Sequence, residues 1–133
     1  MRKIEHIGIA VHDIEASNIV FTKIFGKESY KSESVQSESV ITSFFQVGES
    51  KIELVAATNQ DSPIAKYLAK NREGMHHIAF DVVDIKSEMK RLQSEGIRTL
   101  NDQPKQGADN KLICFLHPKD TNGVLIELCQ EIG

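Results

Sequence analysis

Two histidines and two glutamates stand at matching places in the two halves of this 133-residue chain. His6 begins the stretch HIGIAVHDI, and His77 begins the similar stretch HIAFDVVDI. Glu53 and Glu127 each stand in the middle of an Ile-Glu-Leu triplet. Two imidazoles and two carboxylates suit a divalent ion, because the carboxylates cancel its charge and make burial of the cluster less costly. The sequence therefore predicts that His6, Glu53, His77 and Glu127 bind a divalent metal ion.

Side-chain alternation along the predicted strands supports this grouping. His6 falls on the strand face opposite Ile7, Ile9 and Val11, and His77 falls opposite a similar apolar set. Both glutamates alternate in the same way with their apolar neighbours, since successive side chains of a strand point to opposite faces. We expect the apolar sets to pack beneath helices and the four polar side chains to point into a shared cleft.

A repeated order of elements must position these residues, and internal repeats are diagnostic of architecture. Each half reads as a strand, a helix that begins after an aspartate cap (Asp13 or Asp84), and three further strands. In the second half these last strands are predicted at residues 97–101, 111–117 and 123–130. We expect an α+β fold in which two βαβββ modules form a curved mixed sheet around a metal-containing cleft. The whole chain, residues 1–133, is predicted to be a single domain, with modules at about 1–57 and 75–133 joined by a connector at 58–74.

Composition excludes several classes of function. A net charge of −3 with dispersed basic residues argues against a nucleic-acid-binding surface. No apolar run is long enough to span a membrane, and the first residues do not resemble an export signal. Cys114 and Cys129 are not spaced as a disulfide framework or a CxxC pair, which favours free thiols in a reducing cytoplasm.

Several stretches resemble one known group of proteins over the whole chain. They are residues 4–11, 62–68 and 74–80, then His117-Pro118-Lys119 leading into residues 123–128, which is the most specific of them. The chain resembles the vicinal oxygen chelate superfamily, which includes glyoxalases, bleomycin resistance proteins and dioxygenases. Within that superfamily it is most similar to the methylmalonyl-CoA epimerase family.

The resemblance implies a function and roles for particular residues. It implies a metal-dependent epimerase that interconverts (R)- and (S)-methylmalonyl-CoA by proton transfer through a metal-stabilised enolate, with cobalt, manganese, nickel or zinc bound by the four ligands. Glu127 matches the catalytic proton-transfer carboxylate, whereas Thr42 stands where a second carboxylate is expected. Lys119 and His117 are predicted to contact the acyl-CoA substrate, and the protein is expected to be a cytoplasmic homodimer.

Two other functions remain open at this point. The first is a glyoxalase I-type lactoylglutathione lyase, which shares the ligand set and the same enediolate chemistry. The second is a non-catalytic member of the superfamily that binds a small molecule. The presence of all four ligand residues argues against the second, and the His117-Pro118-Lys119 context favours the epimerase over the lyase.

Overall fold

The chain folds into eight β-strands and three α-helices in the computed structural model, which describes all residues from 1 to 133. In chain order the elements are β1 (Lys3–Ala10), α1 (Ile14–Phe25), β2 (Lys31–Val35), β3 (Val40–Val47), β4 (Ser50–Ala57), α2 (Pro63–Lys70), β5 (Gly74–Asp81), α3 (Ile85–Ser94), β6 (Lys105–Gln106), β7 (Lys111–Phe115) and β8 (Ile126–Glu131). Short 3-10 turns cover Gln36–Glu38 and Pro118–Asp120.

The strands are hydrogen-bonded in the order β2-β3-β4-β1-β5-β8-β7-β6. Strands β5 and β8 run parallel, whereas β2–β3, β3–β4, β6–β7 and β7–β8 are antiparallel pairs, so the sheet is mixed. The order of elements is βαβββ twice, with α2 in the connection between the two copies. The predicted α+β class, with two βαβββ modules contributing to one mixed sheet, is confirmed.

Capping residues define where the helices begin. The Asp13 carboxylate accepts a hydrogen bond from the Ala16 N–H at the start of α1, and Asp84 accepts one from the Ser87 N–H at the start of α3. Each carboxylate satisfies a backbone donor that the first helical turn leaves without a partner. Helix α1 ends at Gly26, whose φ of 71° is in the left-handed region that glycine adopts without strain. All three helices are too short or too polar to cross a membrane.

Residues 7–76 form one compact unit. On one face of its strands, the apolar side of α1 (Ile14, Phe21 and Phe25) packs on a cluster that includes Ile52 and Leu54. On the other face, α2 packs on Ala10, Val40 and Val55. Because Ile52 and Leu54 both lie under α1, Glu53 between them points to the face opposite that helix, as the alternation predicts.

Residues 1–6 and 77–133 form the second compact unit. Here α3 packs its Ile85 and Met89 on a buried cluster that includes Leu128. The opposite face of the same strands carries a smaller cluster, made of Ala79, Ile113, Cys129 and the partly buried Phe115. Glu127 precedes Leu128 on β8 and therefore lies on the side away from α3.

The strand predicted at residues 97–101 is wrong. Within residues 97–101 only a single bridge forms, between Thr99 and Leu116. The strand that follows α3 is instead the two-residue β6, at Lys105–Gln106. The Asn101 side chain accepts the Phe115 N–H at 3.3 Å, while the Thr99 hydroxyl donates to the Asn101 carbonyl at 2.8 Å. Backbone hydrogen bonds from the Leu100 N–H to the Phe115 carbonyl and from the His117 N–H to the Arg98 carbonyl, both 2.8 Å, flank this bridge. The Asn101 side chain then takes the Phe115 N–H that a backbone carbonyl would accept in a continued ladder, so the pairing ends there.

The turn that carries His117 and Lys119 is held by an ion pair at its end. The Arg98 guanidinium donates to both carboxylate oxygens of Asp120 at 3.0 Å, and the Arg98 backbone N–H donates to the same carboxylate at 2.8 Å. These hydrogen bonds with Arg98 lower the pKa of Asp120 to about 2, from an ordinary value of 3.8. A carboxylate with a lowered pKa stabilises the folded state at pH values above its unfolded pKa.

Replacing Asp120 with Asn is therefore expected to lower the melting temperature at neutral pH. The stabilisation from ionised Asp120 is fully present above about pH 4 and is lost as the pH falls through about 2, so the difference between variant and wild type should shrink over that window. Calorimetric melting curves recorded from neutral to acidic pH measure this difference. Asp102→Asn, in the neighbouring loop, serves as the control. A constant difference at every pH contradicts an ionic origin.

Candidate metal centre

Three of the four predicted ligands come together inside the second compact unit. His6 on β1, His77 on β5 and Glu127 on β8 are 5%, 7% and 5% exposed. One ligand atom from each lies within 4.8 Å of the other two. Parallel pairing of β5 with β8 brings Ala79 beside Glu127, which places His77 and Glu127 on one face of adjacent strands.

The donor atoms are spaced as ligands of one ion. The two Nε2 atoms of His6 and His77 are 3.1 Å apart, and Glu127 Oε1 lies 3.3 Å from His77 Nε2 and 3.7 Å from His6 Nε2. Two nitrogens that are each about 2.1 Å from one ion, at a right angle to each other, are about 3.0 Å apart. The buried His6, His77 and Glu127 cluster is therefore consistent with a divalent metal site.

The electrostatics of the cluster favour an ionised Glu127. Burial alone raises the pKa of a carboxyl group, because it penalises the charged form. The charge and hydrogen bonding of His6, together with the charge of His77, outweigh this effect and leave the pKa of Glu127 below its usual value. An ionised carboxylate can act both as a metal ligand and as a proton acceptor.

Apolar side chains surround the cluster on its own face of the strands. The Phe115 ring contacts the His77 ring edge-on, with centroids 5.9 Å apart. Cys129, two residues after Glu127, is fully buried, and its thiol lies 3.5 Å from the Phe80 carbonyl oxygen as a donor. Burial, followed by the charges of Glu127 and Glu5, raises the pKa of Cys129 far above its ordinary value, so the group remains a thiol. This agrees with a filling role for Cys129.

Glu53 and Thr42 belong to the other compact unit, residues 7–76. Glu53 is 6% exposed on β4, directly opposite Phe44 on β3. Thr42, on β3, is 1% exposed, and its hydroxyl donates to the Glu33 carbonyl at 3.1 Å. A hydroxyl whose proton is held by a backbone carbonyl is poorly suited to transfer protons in place of a carboxylate.

His117 and Lys119 lie at the Pro118–Asp120 turn. His117 Nδ1 accepts the Lys119 backbone N–H at 3.2 Å, so the His117 ring caps the turn. This bond gives His117 a structural role in addition to the predicted substrate contact. The Lys119 side chain is exposed.

Two buried charged residues near the cluster were not singled out by the sequence. Glu5 is 2% exposed and its Oε1 lies 3.0 Å from His6 Nδ1. Lys111 on β7 is 6% exposed, and its Nζ is 3.9 Å from Oε1 of Glu131. The sequence shows Glu5 as a charged residue next to His6 in a largely apolar strand. Strict alternation, however, places Glu5 on the strand face opposite His6, so it was not expected near the cluster.

Several known proteins are similar to this chain in sequence. Residues 5–115 match the model of the Glyoxalase/Bleomycin resistance protein/Dioxygenase superfamily. The uncharacterized protein YqjC of Bacillus subtilis is 36% identical over 133 residues, covering 100% of this chain and 95% of that protein. An ethylmalonyl-CoA/methylmalonyl-CoA epimerase of Cereibacter sphaeroides is 39% identical over 130 residues, covering 96% of this chain and 97% of the relative.

A solved structure extends the similarity to three dimensions. A Streptomyces coelicolor methylmalonyl-CoA epimerase variant, in complex with 2-nitronate-propionyl-CoA, superposes with a TM-score of 0.95 at 36% identity. The alignment covers 100% of this chain and 96% of that chain. The chain belongs to the Glyoxalase/Bleomycin resistance protein/Dioxygenase superfamily.

Proposed function

We propose that the protein is a metal-dependent methylmalonyl-CoA epimerase, which interconverts the (R) and (S) forms of its substrate. The observation that carries the proposal is the convergence of His6, His77 and Glu127 in a buried cluster. Relatives named as methylmalonyl-CoA epimerases, at 36–39% identity over nearly the whole chain, support the choice of substrate.

The reaction requires a proton to leave the carbon between a thioester and a carboxylate and to return on the opposite face. A divalent ion such as cobalt, manganese, nickel or zinc would supply a Lewis acid that stabilises negative charge on the substrate oxygens. His6, His77 and Glu127 would hold this ion, and Glu53 is proposed as the fourth ligand because it repeats Glu127 in residue type and local sequence. Two carboxylates then balance the charge of the ion.

Glu127 is proposed to carry the proton. Its carboxylate oxygens are the proton acceptors of the buried cluster, and its 5% exposure keeps competing water away. Phe115 and the neighbouring apolar residues increase this exclusion of water. Thr42 is not proposed as the second proton carrier, because its hydroxyl proton is donated to the Glu33 carbonyl.

The acyl-CoA partner and the oligomeric state complete the proposal. Lys119 is exposed and is proposed to contact the phosphates of coenzyme A, with His117 fixing the turn that presents it.

A homodimer is proposed from the family resemblance. The outer side of α1 leaves Ile19, Val20 and Ile24 at least half exposed, and an apolar helical surface of this kind suits self-association.

Hydrogen exchange tests the reaction. When metal-loaded protein is incubated with methylmalonyl-CoA in deuterated water, deuterium should appear at the carbon between the two carbonyl groups, because the proposed reaction removes and returns that proton. Mass spectrometry of the recovered thioester measures the incorporation. Absence of exchange, together with lactoylglutathione formation from methylglyoxal and glutathione, contradicts the epimerase and supports the lyase.

Metal content tests the ligands. Glu127→Gln should sharply reduce the bound divalent ion after dialysis, because an uncharged amide neither balances the charge of the ion nor binds it as a carboxylate does. Elemental analysis per mole of protein measures the loss. Glu53→Ala, which removes the side-chain oxygen altogether, is expected to reduce metal content as well.

Glu131→Gln is the matched control, because Glu131 lies on the same strand with a side chain that is 73% exposed. Its metal content should equal that of the wild type. Unchanged metal content in Glu127→Gln would exclude the proposed site.

A further inference from the structure

Glu5 is a buried carboxylate with no part in the proton transfer proposed above. It precedes His6 on β1, and only 2% of it is exposed. Transfer of an isolated carboxylate to the protein interior is costly unless it is paired and hydrogen-bonded. One contact that offsets this cost is to His6, whose Nδ1 lies 3.0 Å from Glu5 Oε1, with both side chains nearly excluded from solvent.

This contact has a direct consequence for the proton on His6. An ionised carboxylate only accepts hydrogen bonds, so the proton between the two groups resides on His6 Nδ1. A neutral imidazole protonated at Nδ1 carries its free lone pair on Nε2. Nε2 is the atom that faces His77 Nε2 at 3.1 Å and Glu127 Oε1 at 3.7 Å.

We propose that Glu5 is a positioning residue, which holds His6 in the Nδ1–H tautomer and directs its Nε2 lone pair at the metal. Carboxylates that accept the second ring N–H of a ligand histidine fix its orientation and raise its basicity. This inference rests on the proposed metal site but not on the epimerase reaction.

A competing arrangement uses the same residues. Donor atoms of Glu5, His6 and Cys129 also lie within 4.8 Å of one another and could in principle hold a second ion. Two features argue against it. His6 would have to bind the second ion through Nδ1 while its Nε2 binds the first, which requires an imidazole ring that has lost both protons. The Cys129 thiol lies 3.5 Å from the Phe80 carbonyl as a donor and so retains its proton. Glu5 therefore serves one site through His6.

Two substitutions of Glu5 in the full-length protein test the proposal. Glu5→Leu removes the acceptor, and we expect affinity for Co²⁺ to fall by about 10- to 100-fold, the usual cost of losing such a partner. Glu5→Gln keeps a carbonyl oxygen of similar shape, so it should retain the fold and lose less affinity. Competition with a chromogenic chelator measures the affinities, and circular dichroism verifies folding.

Asp81→Asn is the matched control, because Asp81 is also a buried carboxylate, 5% exposed, on the adjacent strand β5. It has its own partner, the Arg2 guanidinium at 2.7 Å. Its Co²⁺ affinity should stay within about twofold of wild type, since it makes no contact with a ligand histidine that would produce the loss expected of a positioning residue.

Nitrogen NMR of the metal-free protein provides a readout that needs neither metal nor substrate. At alkaline pH, in the range where the His6 spectrum no longer changes with pH, its ¹⁵N shifts should identify Nδ1 as the protonated nitrogen. In Glu5→Leu the population should move toward the Nε2–H form. If the wild type binds no Co²⁺, the metal proposal fails while this spectrum still decides the role of Glu5.

Four results overturn the proposal. One is a wild-type His6 protonated at Nε2. The second is an unchanged Co²⁺ affinity in both Glu5 variants. The third is a loss of affinity in Glu5→Gln as complete as that in Glu127→Gln, which identifies Glu5 as a direct ligand. The fourth is binding of two Co²⁺ ions per chain with a thiolate charge-transfer band, which assigns Glu5 and Cys129 to a second metal site.

Discussion

One constraint governs this protein: charged and polar side chains must be held together in an interior that excludes water. Nε2 of His6 and of His77 face each other at 3.1 Å, with the Glu127 carboxylate beside them, and all three residues are buried. Removal of a carboxylate from water costs several kcal/mol. A divalent ion held by the three side chains would offset this cost. Rigid strands are needed to maintain such an arrangement, and helix packing fixes those strands from the face away from the cluster.

The same constraint accounts for the neighbours of the cluster. The compact unit formed by residues 1–6 and 77–133 also buries the charged residues Glu5, Asp81 and Lys111. Asp81 contacts Arg2, Glu5 contacts His6, and Lys111 lies near Glu131 on the adjacent strand. Each buried charge therefore has an identified partner, as the energetics of burial require. The Glu5–His6 pair is nearly excluded from solvent, with side chains 3% and 7% exposed, so its interaction is stronger than that of a solvent-exposed pair.

Much of this arrangement could be predicted from local sequence patterns. The Asp13 and Asp84 caps and the alternation around Glu127 are local features with strong physical causes, and the structure confirms them. The segment near Thr99 could not be read correctly, because its fate depends on a side-chain bond from Asn101 to a strand distant in sequence. Glu5 was missed for a related reason. Alternation describes an ideal strand, whereas the burial of consecutive residues 5 and 6 depends on strands that pack from elsewhere in the chain.

The compact unit that holds the cluster is discontinuous, since it combines residues 1–6 with residues 77–133. His6 is translated 121 residues before Glu127. A nascent chain therefore cannot bring His6, His77 and Glu127 together until Glu127 has been synthesised. Any ion bound by all three would be acquired after that point, in competition with the chelators and metal-trafficking proteins of the cell, so the identity of the metal in vivo would depend on supply as well as on the affinity of these side chains.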